Sequence, residues 1–346
     1  MDLFEYAEEL QYGDLHVRTD PATGLRAIIA VHNLQLGPAI GGCRFNTYET
    51  TDDAIRDAMR LARGMTYKAA ITGLPHGGAK AVLMRPPELS DENRRELFEA
   101  FGDFVDSLGG DYITAEDVGT NVADMDVVAD RTDHVLGVGE EHGGGGDPSP
   151  FTATGVRRGI EAAVDHRWDR GHLDGLRVAV QGLGSVGYEL ANQLVDRGAE
   201  LVVTDVDEDR LARAEDELGA TTVESDAIFD VDCEVFSPCA LGAVLDDETI
   251  PRLKADIVAG AANNQLAEGR HGRMLVERDI LYAPDYVINA GGLIHVAENY
   301  AGYEADRARE RIEGIYDSLT EIFERADEVE APTGYVADRI VEEKLV

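Results

Sequence analysis

The sequence predicts an α/β protein of two domains, and three observations carry that prediction. The chain has 346 residues, more than one ordinary core takes in. A glycine-rich break, GEEHGGGGDPSP at 139–150, reads as a linker. Beyond it, residues 176–205 read as strand, glycine turn, helix and strand, the opening of a parallel sheet. The expected layout is an α/β domain over 1–138 and a dinucleotide-type domain over 139–328, with a cleft between them. A final helix, 329–346, is expected to fold back onto the first domain.

Taken in order, residues 1–10 read as a short helix. Residues 14–20 and 25–35 carry β-type patterns joined by the turn PATG. In GPAIGGCRF, 37–45, Gly41-Gly42 leaves main-chain N–H groups bare. The stretch is either a tight turn or a place where a ligand meets the backbone. Residues 50–72 read as a helix capped by Thr51 and Asp52 or Asp53, with Ile55, Met59, Ala62 and Met65 as its apolar stripe. A glycine-rich break at 73–78 leads into a strand starting at Lys80. A helix at 90–108 precedes a short strand, DYITAEDVGT, with Asp117 at its end. A carboxylate there is ordinarily a helix cap, here for 121–132. After the linker come a helix at 152–167 and, beyond residue 205, short buried strands alternating with helices. A long helix is expected at 303–328 and a last amphipathic one at 333–345.

Composition narrows the function. There are 68 acidic against 31 basic residues, a formal net charge of −37. Such a chain repels phosphates, which argues against nucleic acid and anionic membranes as partners. At molar salt the screening length falls to roughly 3 Å and self-repulsion largely vanishes. Acids spread along the whole chain fit a protein of a salt-rich cytoplasm; the alternative is a merely acidic protein. Three cysteines, Cys43, Cys233 and Cys239, show no metal-like spacing and no disulfide framework. No metal site is expected. The N-terminus is acidic and unlike a signal peptide, and no apolar run is long enough to span a membrane.

Two stretches carry chemistry. The first is GMTYKAAITGLPHGGAK, 64–80. Only four of the 31 basic residues are lysines, and two of them, Lys68 and Lys80, stand here among small and apolar residues. A buried lysine can lose its proton near neutral pH, and arginine cannot. The second is the glycine turn, in which Gly182, Gly184 and Gly187 match GxGxxG, directly after an apolar strand and at the start of a helix. The helix N-terminus, with Ser185 and Val186, would face a pyrophosphate. Asp205 ends the next strand, where a carboxylate takes ribose hydroxyls and repels a 2′-phosphate, so NAD is expected over NADP.

With these residues in view, the chain resembles the leucine/phenylalanine/valine branch of the amino-acid dehydrogenase family. The matching stretches are GPAIGGCRF, ARGMTYKAAITGLPHGGAK, YITAEDVGTN, QGLGSVG, SPCALGAVL, AGAANNQL and YAPDYVINAGG. The resemblance implies a reversible reaction turning an L-amino acid and NAD into a 2-oxo acid, ammonia and NADH. It implies that Lys68 binds the substrate carboxylate with backbone near Gly41 and Gly42, that Lys80 is the general base, and that Asp117 shares its proton transfer. Lys68 is the expected cation that helps to lower the Lys80 pKa. Thr152 and Asn264 would contact the nicotinamide end, with Asn289 close by. Glutamate enzymes of the wider family carry a lysine where Ile40 stands here, so an apolar substrate is expected, lined by Ile40, Ala115, Leu293 and Val296. Ala115 follows the leucine pattern; Leu293 and Cys43 look more like phenylalanine enzymes. Branched aliphatic substrates are favoured, with an aromatic preference as the alternative and a non-catalytic NAD sensor as a more distant one. The resemblance also implies a homo-oligomer assembled through the first domain.

Overall fold

The computed structural model describes residues 2–240, 242–300, 302 and 305–345. The chain divides into two compact units. One comprises Met1–Gly146 with Val296–Glu304, the other Asp147–His295 with Ala305–Lys344.

The first unit runs α1 (Leu3–Glu9), β1 (Asp14–Asp20), β2 (Leu25–Asn33), β3 (Ala39–Asn46), α2 (Thr51–Ile71), β4 (Gly77–Met84), α3 (Asp91–Asp106), β5 (Tyr112–Glu116) and α4 (Val122–Ala129). Its sheet has the order β1-β2-β4-β3-β5. β2 pairs antiparallel with both β1 and β4, while β3 pairs parallel with β4 and β5. Phe98, Phe101 and Phe104 of α3 and Met125 and Val128 of α4 cover one face. Ala54, Ala58, Met59 and Ala62 of α2 cover the other, against Ile28, Ala30 and Val82.

Several expectations change here. GPAIGGCRF is no tight turn; most of it is β3, an inner strand. A Cβ on Gly41 would lie 1.6 Å from the Ala79 carbonyl oxygen, so the glycine answers to a neighbouring strand. β4 starts three residues before Lys80, at Gly77, where a Cβ would lie 1.7 Å from the Asn33 oxygen. The cap of α2 is Thr50, one residue before the expected ones. Its hydroxyl accepts from the Asp53 amide and the Asp53 carboxylate accepts from the Thr50 amide, a reciprocal capping box. Asp117 caps nothing; Asn121 caps α4.

The second unit runs α5 (Ser149–Trp168), β6 (Arg177–Gln181), α6 (Ser185–Val195), β7 (Glu200–Thr204), α7 (Glu208–Leu218), β8 (Thr221–Thr222), β9 (Val235–Pro238), β10 (Ile257–Val258), α8 (Arg270–Glu277), β11 (Leu281–Tyr282), α9 (Asp285–Ile288), α10 (Gly291–Tyr300), α11 (Ala305–Glu313), α12 (Ile315–Val329) and α13 (Thr333–Lys344); the last residues of α10 cluster with the first unit. Its sheet is parallel throughout, in the order β11-β10-β9-β6-β7-β8. The unit begins at 147, not at 139. α5 starts with Pro148 as its cap residue and Pro150 in its first turn, a position where a missing N–H costs nothing. The helix expected over 303–328 is interrupted at Gly314, and residues 303 and 304 lie outside the described set. The final helix belongs to the second unit, where the sequence led us to expect it on the first. α13 buries Val336, Ala337, Ile340 and Val341 and packs within the second unit on α12 and β11. The Thr333 hydroxyl donates to the Tyr282 carbonyl at 2.6 Å, which fastens its start to β11.

Candidate active site

In the first unit the site grows from Lys80 on β4. Lys80 is 5% exposed, opposite Ala30 on β2. Its Nζ lies 3.0 Å from Oδ2 of Asp117. The Asp117 loop is tied to β3: Thr120 accepts from the Asp117 amide at 2.8 Å and donates to the Cys43 carbonyl at 3.0 Å. Gly119 has φ +85°, and a Cβ there would lie 2.0 Å from the Phe45 oxygen. That close approach admits only glycine. Gly42 backs the pair directly, because a Cβ on it would lie 2.9 Å from the Asp117 Cβ and 3.2 Å from the Lys80 Nζ. The buried Tyr112 hydroxyl donates to the Gly41 carbonyl at 2.8 Å and so holds the glycine pair in place.

Sequence reasoning missed one member. The Nε of Arg44 donates to the same Asp117 oxygen at 2.9 Å, and its NH1 donates to Asp57 at 2.9 Å. The Tyr48 hydroxyl completes the chain with a 2.7 Å bond to Asp57. The signal was available: once 37–45 is a strand, Arg44 falls on the same face as Gly42.

Burial lowers the Lys80 pKa; Asp117 opposes that shift, and the Arg44 charge adds to it. Burial pushes the Asp117 carboxyl up, but Lys80 and then Arg44 outweigh it and hold the carboxyl below its usual range. The two directions agree. Asp117 has two cations, so it stays ionised when Lys80 gives up its proton. Arg44 is a cation beside this pair that the sequence did not point to.

Lys68 is half-buried in the last turn of α2. That turn presses on the glycines before Lys80, for a Cβ on Gly78 would lie 1.9 Å from the Thr66 amide nitrogen. Of the expected pocket residues, Ile40 is only 2% exposed, whereas Ala115 is half-buried on β5 beside Gly42. Cys43 belongs to the core under α3 and α4. It faces away from Lys80 and cannot line a pocket with it.

The second unit holds the glycine turn. Gly182 has φ +98°, a value that favours glycine. A Cβ on Gly187 would lie 2.0 Å from the Gly182 oxygen, so strand and helix pack closely. Gly184 is the cap residue of α6 with no side-chain cap, and a Cβ on it would meet nothing within 4 Å. The N-terminus of α6 is therefore open beside Gly184, where an anion can approach the helix amides. A depression of about 330 Å³ adjoins them, with Leu183, Tyr188, Arg210 and Arg213 in its lining. Asp205 accepts from the amides of Leu183 at 2.6 Å and Asp207 at 2.9 Å, with Arg210 at 3.7 Å. Its carboxylate is thus placed at the turn before any ribose arrives. These features fit a dinucleotide.

Nearby, Asn289 donates to the Ala261 carbonyl at 3.0 Å and to Asn263 at 2.8 Å. It is the C-cap of α9. Asn264 has φ +51° and its carbonyl accepts from Ala243. The Thr152 hydroxyl donates to the Pro148 carbonyl at 3.1 Å and would lie 2.5 Å from a Cβ on Gly292. Leu293 follows that glycine on α10. Val296, further along the helix, clusters with the first unit. Among the described residues, no group of three His, Cys, Asp or Glu is placed to hold a metal ion.

Comparison with known proteins follows the same division. Residues 12–134 match the family model for the Glu/Leu/Phe/Val dehydrogenase dimerisation domain, and residues 204–330 match that for glutamate/leucine/phenylalanine/valine dehydrogenase. The chain is 50% identical over 345 residues to a leucine dehydrogenase of Thermoactinomyces intermedius, covering 100% of this chain and 94% of that protein. It is 46% identical over 329 residues to a valine dehydrogenase of Streptomyces virginiae, covering 94% and 91%. The crystal structure of an L-tryptophan dehydrogenase from Nostoc punctiforme superposes with a TM-score of 0.90 at 42% identity, covering 99% of this chain and 98% of that one.

Proposed function

Because the chain belongs to the Glu/Leu/Phe/Val dehydrogenase family, we propose that it oxidatively deaminates an apolar L-amino acid with NAD, leucine and its branched neighbours foremost. The products are the 2-oxo acid, ammonia and NADH, and the reaction is reversible. The observation that carries this reading is the buried Lys80, paired to Asp117 at 3.0 Å, in a chain that also keeps the glycine turn and Asp205.

When bound, NAD supplies the oxidant that takes the Cα hydrogen with its electron pair, leaving an imine. Asp205 takes the ribose hydroxyls, the amides at the start of α6 take the pyrophosphate, and Thr152 and Asn264 meet the nicotinamide end. Lys68 pairs with the substrate α-carboxylate, helped by backbone at Gly41 and Gly42. Lys80, as a neutral amine, takes a proton from the water that adds to the imine carbon. Asp117 passes protons to and from it, and ammonia leaves. Ile40 and Ala115 are assigned to the substrate side chain, and the family resemblance adds Leu293 and Val296.

A substrate panel tests the reading: NADH formation in several molar KCl with leucine, valine, phenylalanine, tryptophan and glutamate. Leucine or valine leading is the expected result. An aromatic substrate leading would move the specificity to the alternative, since one methylene is worth only about 1–3 kcal/mol. No turnover on any of the five would overturn the reading.

We further propose a homo-oligomer. The model matched over 12–134 is described as a dimerisation domain, and Phe4 and Val17 of that unit are 80% and 60% exposed. None of the described helices is long and apolar enough to cross a membrane. With the acidic composition, we place the enzyme in a salt-rich cytoplasm.

A further inference from the structure

We propose that Arg44 is a positioning residue for the deamination, holding Asp117 against Lys80 and fastening the pair to Asp57 on the helix that carries Lys68. The inference rests on the reading of Lys80 as the base. Its grounds are geometric. One planar guanidinium makes two bonds of 2.9 Å in different directions, Nε to Asp117 and NH1 to Asp57. Arg44 and Asp57 have side chains only 19% and 17% exposed. Tyr48 bonds Asp57 from the loop before α2, and Arg60 lies 3.0 Å from its second oxygen. Arg44 thus links the end of β5, the strand β3 and the helix α2, the three elements that carry Asp117, Gly42 and Lys68.

The chemistry gives this link a purpose. A base must shed its proton to work. If Asp117 had Lys80 as its one cation, a neutral Lys80 would leave a carboxylate largely buried and unpaired, which is costly. Lys80 would then hold its proton. Arg44 never loses its charge. It keeps Asp117 paired through both protonation states of Lys80, so the proton can come and go. The other titratable groups around Lys80, on either side of the sheet, do not do this. Cys43 and Tyr112 are buried with their protons held firmly. His32, on β2, is pushed toward its neutral form and held between Thr66 and the Leu10 carbonyl. Lys68, on α2, is assigned to the substrate. Asp57 and Tyr48 reach the pair through Arg44.

The test is the pH profile of kcat/KM for leucine in the full-length protein, with melting temperature recorded for each variant. Arg44→Gln is expected to move the rising acid limb up by about one pH unit, as loss of a nearby cation does, with rates roughly tenfold lower below the limb. Arg44→Lys keeps a cation, so its limb stays where the wild type has it. Its kcat falls, because an ammonium lacks the fork that spans Asp117 and Asp57. An unshifted limb in an Arg44→Gln protein that melts like the wild type overturns the inference. So does an equal shift in both variants, which would mean lost packing in place of lost charge. If Arg44→Gln does not fold, Arg44→Lys decides: lowered kcat with an unmoved limb supports the role, and wild-type kcat overturns it. Failure of the premise looks different, because a Lys80→Ala protein with full activity would remove the base itself.

Discussion

The two chemical regions of the molecule are built by opposite means. The glycine turn of the second unit is a backbone device. Gly182, Gly184 and Gly187 fall within six residues, and the turn they make needs little from elsewhere beyond Asp205, itself bonded to the Leu183 amide. The lysine site of the first unit is a side-chain device assembled from distant segments: Lys80 from β4, Asp117 from the end of β5, Arg44 from β3 and Asp57 from α2. A backbone device is read from local spacing. A side-chain device depends on which strands lie next to each other, and the charges that tune it come from the fold.

That contrast predicts how each region breaks. Losing a charge from the assembled site should strike turnover and spare cofactor binding. Asp117→Asn leaves Lys80 with a weaker partner and stops proton relay, so kcat for leucine should fall by about 10²–10³-fold with the NADH Kd unchanged; a matching loss of NADH affinity would blur the division between the regions. The converse change is Gly182→Ala. The new Cβ would lie 2.8 Å from the Ala240 Cβ at φ +98°, and such backbone costs an L residue roughly 1–2 kcal/mol before any clash. NADH affinity measured by fluorescence titration should drop by about tenfold or more, while Lys80 and its partners stay as they are. A smaller effect is expected at Asp205. Asp205→Ser removes the carboxylate that repels a 2′-phosphate and leaves Arg210 in place, so NADP use relative to NAD should rise by about tenfold. An unchanged cofactor ratio would mean the carboxylate serves only to hold the Leu183 and Asp207 amides. The smallest effect on chemistry, and the broadest on stability, is salt. With a formal charge of −37, the melting temperature should climb from dilute buffer to molar KCl as repulsion is screened; a flat response would leave the acidic surface without this role.

The sequence made the second unit legible because a parallel sheet repeats its grammar: an apolar strand, a glycine or small-residue turn, a helix. Element order and the Asp205 position follow from that alone. Two features there were not legible. The interruption at Gly314 sits in an otherwise continuous helical pattern, and α13 chooses its partner through the Thr333–Tyr282 bond and four buried apolar residues, which only the tertiary structure supplies. In the first unit the lysine pair was visible because lysine is rare in this chain. Arg44 was not, because GPAIGGCRF has the local appearance of a turn. Its glycines are there because β4 and β5 pass close by, and pairing across a sheet leaves no local mark. The face of Cys43 was hidden for the same reason: it directly precedes Arg44, and successive strand residues point to opposite sides.

The account stands on Lys80 as a base that works in its neutral form. Burial lowers its pKa, so the neutral amine is reached below the roughly 10.4 of a free lysine and the rate should rise as pH passes the lowered value. The direct measurement is NADH formation from leucine by Lys80→Ala, with NADH binding titrated on the same sample. The account predicts a fall in kcat of about 10³-fold with wild-type NADH affinity. Near-normal turnover by the alanine variant would contradict it.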